Sequence, residues 1–441
     1  MAEGSLGAPK RHNIDWQNPE YYNQDAIDIE LERVFDICHG CRRCFNLCES
    51  FPILFDMIDD APTGELDSVP KSEYTKVVDA CTLCDMCFMT KCPYVPPHEF
   101  DLDFPHLMLR ARAAAHKDGQ TPLTVRQLAN TDRNGKLARP VAGLANALAS
   151  RKDKIGRAML EVTTGIDRDV ELPKYCSKTL TDRTTEPLAI NPNGPGAGRK
   201  VALFASCIGQ YNLPEIGEAA LAVLAHNGIE AKVFNPGCCG MPYLEHGNIA
   251  KVADQATKIA AAFRVVIEDG YTPIASTASC GLMMKFEWPL ILPENKDVSF
   301  LSAHVKDINQ YLVELANGPG LAKGLTPIEG GISVHMACHS RAQNMGPKAA
   351  ELLRNIPDTK VDVVERCAGH GGTFGVMKAT RGFAKKTARY PLRDLKKQGN
   401  AHLCSDCPLA CKHLNQERET PDHPAPPPLH PVQLLAQAYG F

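Results

Sequence analysis

Eight cysteines crowded into two short windows constrain this 441-residue chain more than any other feature. The first window runs Cys38, Cys41, Cys44, Cys48, a C-x2-C-x2-C-x3-C pattern. The second runs Cys81, Cys84, Cys87, Cys92 and is followed at once by Pro93. Three thiols so close together reach three corners of an iron–sulfide cube, and a fourth from elsewhere closes it. Zinc sites also use C-x2-C knuckles, but as two separated pairs rather than a triplet. Disulfides are the weaker reading, because no signal peptide precedes the motif and a reducing cytosol keeps thiols free. Before its last cysteine the second window has four residues, Phe88 to Lys91, where three are usual. The extra residue is expected to loop out ahead of Pro93.

In the two-cluster ferredoxin arrangement the fourth ligand of each cube comes from the other motif. That arrangement pairs Cys38, Cys41 and Cys44 with Cys92, and Cys81, Cys84 and Cys87 with Cys48. The cofactors expected are therefore two [4Fe-4S] clusters. Arg42, Arg43 and Lys91 lie close enough in sequence to offset cluster charge, although exposed charges are the plainer reading.

A chain of this length exceeds one core, and two to four domains are expected. The formal charge of −3 and the lack of a basic stripe with interleaved aromatics make nucleic acid a poor partner. No apolar run approaches the length of a membrane span, so any attachment to a bilayer would come through a partner. Eighteen cysteines without a secretion signal argue for metal or redox chemistry. The expected location is the cytoplasm, with peripheral attachment at the inner face of the membrane as the alternative.

The pattern divides the chain into six parts. A polar arm (1–29) leads into a helical two-cluster unit (30–116), whose helices include Ile27 to Phe35 and Phe104 to His116. A helical connector and a Pro/Gly linker follow (117–198), with a lone thiol at Cys176. From Lys200 strands and helices alternate, predicting two α/β domains (199–318 and 319–416) with mostly parallel sheets. A Pro-rich tail with a short apolar helix (His430 to Tyr439) ends the chain (417–441). The fold class expected is multidomain α+β, helical first and α/β after.

The later cysteines make the α/β part a duplication. Cys207, Cys238 with Cys239, and Cys280 stand in the first copy; Cys338, Cys367, Cys404 and Cys407 stand in the second. Counting from the first cysteine, the steps are 31 and 42 residues in one copy and 29 and 40 in the other. An internal repeat is the simplest explanation. In each copy the cysteines follow a strand, at the carboxyl edge where open α/β sheets bind ligands.

Cys238-Cys239-Gly240, the run Arg366-Cys-Ala-Gly-His-Gly-Gly372, and Cys404-Ser-Asp-Cys407-Pro408 resemble the tandem cysteine-rich (CCG) domains of heterodisulfide reductase. Joined to a two-cluster ferredoxin motif, they resemble the iron–sulfur subunits of anaerobic glycerol-3-phosphate dehydrogenase and of glycolate oxidase. The resemblance covers residues 30–415. In that family each cysteine-rich domain supplies C…CC…C-x2-C to an iron–sulfur assembly. Here Thr277 stands at the first cysteine of C-x2-C in copy one, and Ala368 at the second cysteine of the pair in copy two. Four thiols per copy remain, enough for one or two further clusters. The function implied is an electron-transfer subunit, relaying electrons between a flavin dehydrogenase (glycerol-3-phosphate or 2-hydroxy acid type) and quinone or another acceptor. Rival readings are a thiol or disulfide reductase centred on the cysteine-rich site, a donor to a rubrerythrin-like peroxide reductase, and a non-redox metal-stapled scaffold.

Weaker signals remain. The glycines from Gly369 to Gly375 lack the full dinucleotide fingerprint and read as room for backbone near a metal site. His335, His339 and His370 flank the second set and are each more simply packed polar residues. Cys411 reads as a spare thiol.

Overall fold

The computed structural model describes residues 9–419 and 426–441, so the first part of the polar arm and much of the Pro-rich run lie outside the described residues. Helix α1 (Gln24–Cys41), capped by the Asn23 side chain, buries Ile27, Leu31, Val34 and Phe35 at helical spacing. It is much longer than the Ile27 to Phe35 stretch that periodicity marks, and carries the first two cysteines of the motif. Helices α2 (Ser50–Asp59), α3 (Tyr74–Ala80) and α4 (Phe104–Lys117) close this unit around Phe35, Phe51, Phe55 and Met108. The extra residue before Cys92 does not loop out. It is taken up in a π-turn over Cys87–Lys91, where the Cys92 N–H donates to the Cys87 carbonyl at 2.8 Å.

The connector includes the helices α5 (Leu123–Leu128), α6 (Thr131–Ala138), α7 (Ala142–Leu148) and α8 (Lys154–Thr164), with one further turn of helix at Leu180–Arg183. The fourth is inverted. Arg157 and Glu161 face the protein, where Arg157 donates to the carbonyls of Asp167 at 2.6 Å and Val170 at 2.9 Å. Its apolar stripe, Ile155, Met159 and Val162, faces out, with Ile155 83% exposed.

Two parallel sheets follow. The first runs β2-β1-β3-β4 from β1 (Lys200–Phe204), β2 (Glu230–Phe234), β3 (Tyr271–Ala275) and β4 (Lys306–Asp307). The second runs β6-β5-β7 from β5 (Ile332–His335), β6 (Val361–Val364) and β7 (His402–Ser405). In each, the chain steps from the first strand to one neighbour and then returns to the other side. The crevice at the carboxyl ends of β1 and β3, and of β5 and β7, is thus a topological switch point. One core, including Val201, Leu312, Val334 and Cys404, runs through both sheets and takes in Val432, Leu434 and Leu435 of the C-terminal helix Pro431–Ala438. The two halves are therefore fused by shared apolar burial.

The arm bridges the helical unit and the first α/β half. Ile14 N–H donates to Leu290 at 2.8 Å and the Trp16 indole to Ile291 at 2.9 Å. Arg11 meets Asp85 at 2.7 Å, Asp103 at 2.9 Å and Glu287 at 3.1 Å. These acids come from the second cysteine window, the start of α4, and the first α/β half, so one guanidinium joins three parts of the fold.

Candidate iron–sulfur and cysteine-rich site

The helical unit brings its thiols together as two sets. Burial, and then Cys44, Cys92 and Cys41, push the Cys38 thiol well above its ordinary value. Burial, then Cys84 and Cys81, do the same to Cys48. Cys92 thus sits with the first triplet and Cys48 with the second. Cys87 is raised by burial, then by Cys84 and Cys44, so the two sets adjoin. Arg42 is engaged by Asp59, its Nη1 at 2.9 Å from Oδ2.

Seven of the eight later cysteines of the predicted set lie beyond strand ends. Cys207, Cys238, Cys239 and Cys280 converge: the Cys207 and Cys238 sulfurs are 3.9 Å apart, and Thr131 Oγ1 donates to Cys238 at 3.4 Å. Cys338 is raised by burial, then Cys84, Cys367 and Cys407, which collects the second copy's thiols next to the second cysteine window. Cys84 and Cys48 in turn feel Cys367.

Cys404 does not join them. It lies inside β7, opposite Val334, fully buried in the apolar core beside Cys411. The repeat is offset at this point. Thr277 caps the helix after β3, and the residue capping the helix after β7 is Cys407. Cys407 therefore corresponds to Thr277, and Ala410 to Cys280. Aligning the two cysteine pairs by spacing slips the register by three residues and turns a strand residue into a ligand. Copy two offers three thiols, Cys338, Cys367 and Cys407, with Ala368 and Ala410 in place of the others.

Both sets wall one cavity of about 350 Å³, lined by Cys207, Cys239, Cys280, Cys338, Cys367 and Cys407. His339, next to Cys338, spans its parts. One ring nitrogen meets Ser279 Oγ at 2.8 Å, beside Cys280, and the other approaches the Leu83 carbonyl at 3.4 Å, between Cys81 and Cys84. His335 is bound to Ser405 Oγ at 3.1 Å and the Arg366 carbonyl at 3.0 Å, and burial holds it neutral, down to about 4. His370 lines the cavity, and its buried Nε2 has no hydrogen-bond partner.

These residues fit iron–sulfur clusters. The donor sets are thiols, and the backbone is arranged to hydrogen-bond sulfur. Leu83 N–H donates to Cys81 at 3.4 Å, Gly240 N–H to Cys238 at 3.5 Å, and Gly369 N–H to Cys367 at 3.3 Å. In all three the amide is two residues beyond the thiol, an arrangement that stabilises thiolate and tunes potential. Among the described residues no three His, Cys, Asp or Glu converge as a single-ion site; a cube spreads its thiolates wider than one zinc ion does. Clusters bound here supply reversible one-electron transfer.

A chain with two parallel α/β units, each presenting thiols at its switch point, is a tandem cysteine-rich protein. Residues 201–285 and 332–413 match the cysteine-rich (CCG) domain family. The chain is 26% identical over 314 residues to a subunit of the anaerobic glycerol-3-phosphate dehydrogenase of Escherichia coli, covering 70% of this chain and 76% of that protein. It is 22% identical over 419 residues to a subunit of the fumarate reductase (CoM/CoB) of Methanothermobacter marburgensis, covering 91% and 72%. It is 26% identical over 186 residues to lactate utilization protein A of Bacillus pumilus, covering 40% and 75%. The chain thus carries two cysteine-rich domains and is a homologue of oxidoreductase subunits.

Proposed function

We propose that the chain is an electron-transfer subunit in which residues 30–116 form a ferredoxin-like domain with two [4Fe-4S] clusters, feeding one or two further centres in the cysteine-rich domains at 199–318 and 319–416. The observation that carries this is continuity of thiols. Cys44 adjoins Cys87, and Cys48 and Cys84 adjoin Cys367, at the wall of the thiol-lined cavity. The names of the relatives favour a dehydrogenase or other redox protein as partner, with glycerol-3-phosphate or a 2-hydroxy acid oxidised there; a flavin in that partner is what the family resemblance implies. Anaerobic iron and sulfide counting with electron paramagnetic resonance tests the reading; a colourless chain loaded with zinc would sink it. Within it, Cys407→Ser is expected to remove iron from the cysteine-rich half, whereas Cys404→Ala leaves iron content unchanged. Equal loss in both variants would show the register above to be misassigned.

The cavity favours a second reading, a reductase that cleaves a disulfide held between the two thiol sets. Reduction of a disulfide by the isolated chain supports it; electron passage only to protein partners favours the first.

Peripheral attachment at the inner face of a membrane is part of the proposal. None of the helices among the described residues is long and apolar enough to span a bilayer. The connector nevertheless turns Val141, Leu144, Leu148, Ile155, Met159 and Val162 outward. Apart from the inward-facing Arg157 and Glu161, residues 123 to 164 carry seven Lys and Arg against two Asp and Glu. A basic helical surface with an outward apolar stripe suits an anionic bilayer. The protein is expected to float with vesicles containing anionic phosphatidylglycerol. Ile155→Glu with Val162→Glu should weaken this at least about tenfold, since each charge replaces buried apolar area. Undiminished flotation of the double variant, or capture only by a protein partner, would exclude the lipid surface.

A further inference from the structure

Two features left aside by the electron path meet at one point, the glycine pair Gly371-Gly372 and the carboxyl of Glu245. Beyond Cys239 the chain leaves the cavity through the short helix Met241–Leu244 and arrives at Glu245. Glu245 lines the thiol-walled cavity on one side. On the other it lines a groove of about 800 Å³, and Thr82, Glu245 and Gly371 are the residues the two walls share.

The partition is thin because it lacks side chains. Gly371 and Gly372 have φ of +49° and +56°, a left-handed backbone that glycine takes without strain. A Cβ on Gly371 would collide with Thr82, and one on Gly372 with the Glu245 carboxyl. Arg112, the nearby cation, is committed to backbone, with Nη1 on the Glu245 carbonyl at 2.9 Å and Nη2 on Val78 at 2.6 Å. Among the described residues no hydrogen bond reaches the Glu245 carboxyl oxygens.

Burial, opposed by Arg112, lifts that carboxyl to about 7, where it exchanges protons at neutral pH. Its titratable neighbours are poor substitutes. Burial, then Arg112 and His116, hold His246 neutral, down to about 4. Cys407 is a cluster ligand in this reading, and a thiolate bound to iron has no proton to exchange. Asp79, on the groove wall, is raised by burial and lowered by Arg112.

We propose that Glu245 is the proton inlet of the thiol-lined cavity, taking a proton from groove water as an electron settles on the iron–sulfur centre of that cavity. The step balances. One electron comes from the ferredoxin-like half and one proton from the groove; the Glu245 carboxylate becomes a carboxylic acid, and reoxidation releases both. The proton offsets negative charge that buried surroundings solvate poorly. The inference rests on reading the cavity as the far end of the electron path.

The test is a potentiometric titration of the anaerobic holoprotein, followed by electron paramagnetic resonance from pH 6 to 8. Because reduction takes up a proton, the midpoint potential of the cavity centre should fall as pH rises, by up to about 59 mV per tenfold change in proton concentration. Glu245→Gln should flatten that slope and leave the ferredoxin-like centres unchanged. An infrared carbonyl band of the protonated acid, fading as pH rises through about 7, should be missing in the variant. Glu245→Asp keeps a carboxyl but withdraws it from Gly372, so a reduced slope there serves if the glutamine variant does not fold. A flat profile in the loaded wild type, or a slope unchanged in both variants, overturns the proposal. A cysteine-rich half without iron sinks the electron-path reading first, and this inference with it.

Discussion

Cys48→Ser is expected to strip iron from the site built by Cys81, Cys84 and Cys87 and to leave the Cys38, Cys41 and Cys44 site loaded; Cys92→Ser should do the reverse. Each loss amounts to about four irons from the eight that two cubes hold. The direction follows from where the chain places these thiols. Cys48 is raised by burial, Cys84 and Cys81, not by the triplet preceding it in sequence. Cys92 stands among the thiols that act on Cys38. A serine hydroxyl keeps the shape but not the soft, readily ionised sulfur, so the effect is on ligation rather than on packing. Iron counting with the two overlapping resonance signals reads the result. If Cys48→Ser emptied the Cys38 site instead, the crossed pairing would be wrong.

The second large effect is on stability. Arg11→Met should destabilise the junction of the helical unit with the first α/β half by ~3–5 kcal/mol, the usual result of removing one partner from buried charges. The Arg11 side chain is 10% exposed, and those of Asp85 and Glu287 6% and 3%. Water cannot replace the lost cation, and its stacking on the Phe88 ring at 4.5 Å is lost too. Adding Glu287→Gln should recover part of the loss, because one uncompensated carboxylate goes with it. The two tryptophans report locally. Trp16 donates to Ile291, and buried Trp288 donates to the Cys239 carbonyl at 3.0 Å. Denaturation followed by their fluorescence should show the shift, and a change below ~1 kcal/mol would mean the network contributes little beyond a surface pair.

The clamp also bears on function. Asp85 lies between Cys84 and Cys87, and Glu287 ends the turn that follows Cys280. Loosening Arg11 therefore relaxes the approach of the second cysteine window to the cavity. Electron transfer between the halves should slow even where each keeps its iron.

Local spacing and period determined much of this protein in advance. The tripled cysteines and the βα alternation from Lys200 are written within short stretches, where side-chain types act directly on the backbone; the repeat shows in the nearly equal steps, but its register does not. Helix α4 (Phe104–Lys117) and the C-terminal helix Pro431–Ala438 agree with the stretches read from periodicity to within one residue at each end, whereas α1 (Gln24–Cys41) exceeds its stretch by three residues at the start and six at the end. The tertiary structure alone decided the rest. Whether Cys404 or Cys407 meets the cavity depends on where β7 ends, because inside a strand a side chain can be committed to the core, and spacing between cysteines says nothing of that. Arg11, Glu245 and the outward stripe of α8 each look ordinary in sequence. They acquire meaning only when distant segments supply three carboxylates, a shared cavity wall, or a charged inner face, and those meetings are long-range packing that no local pattern encodes.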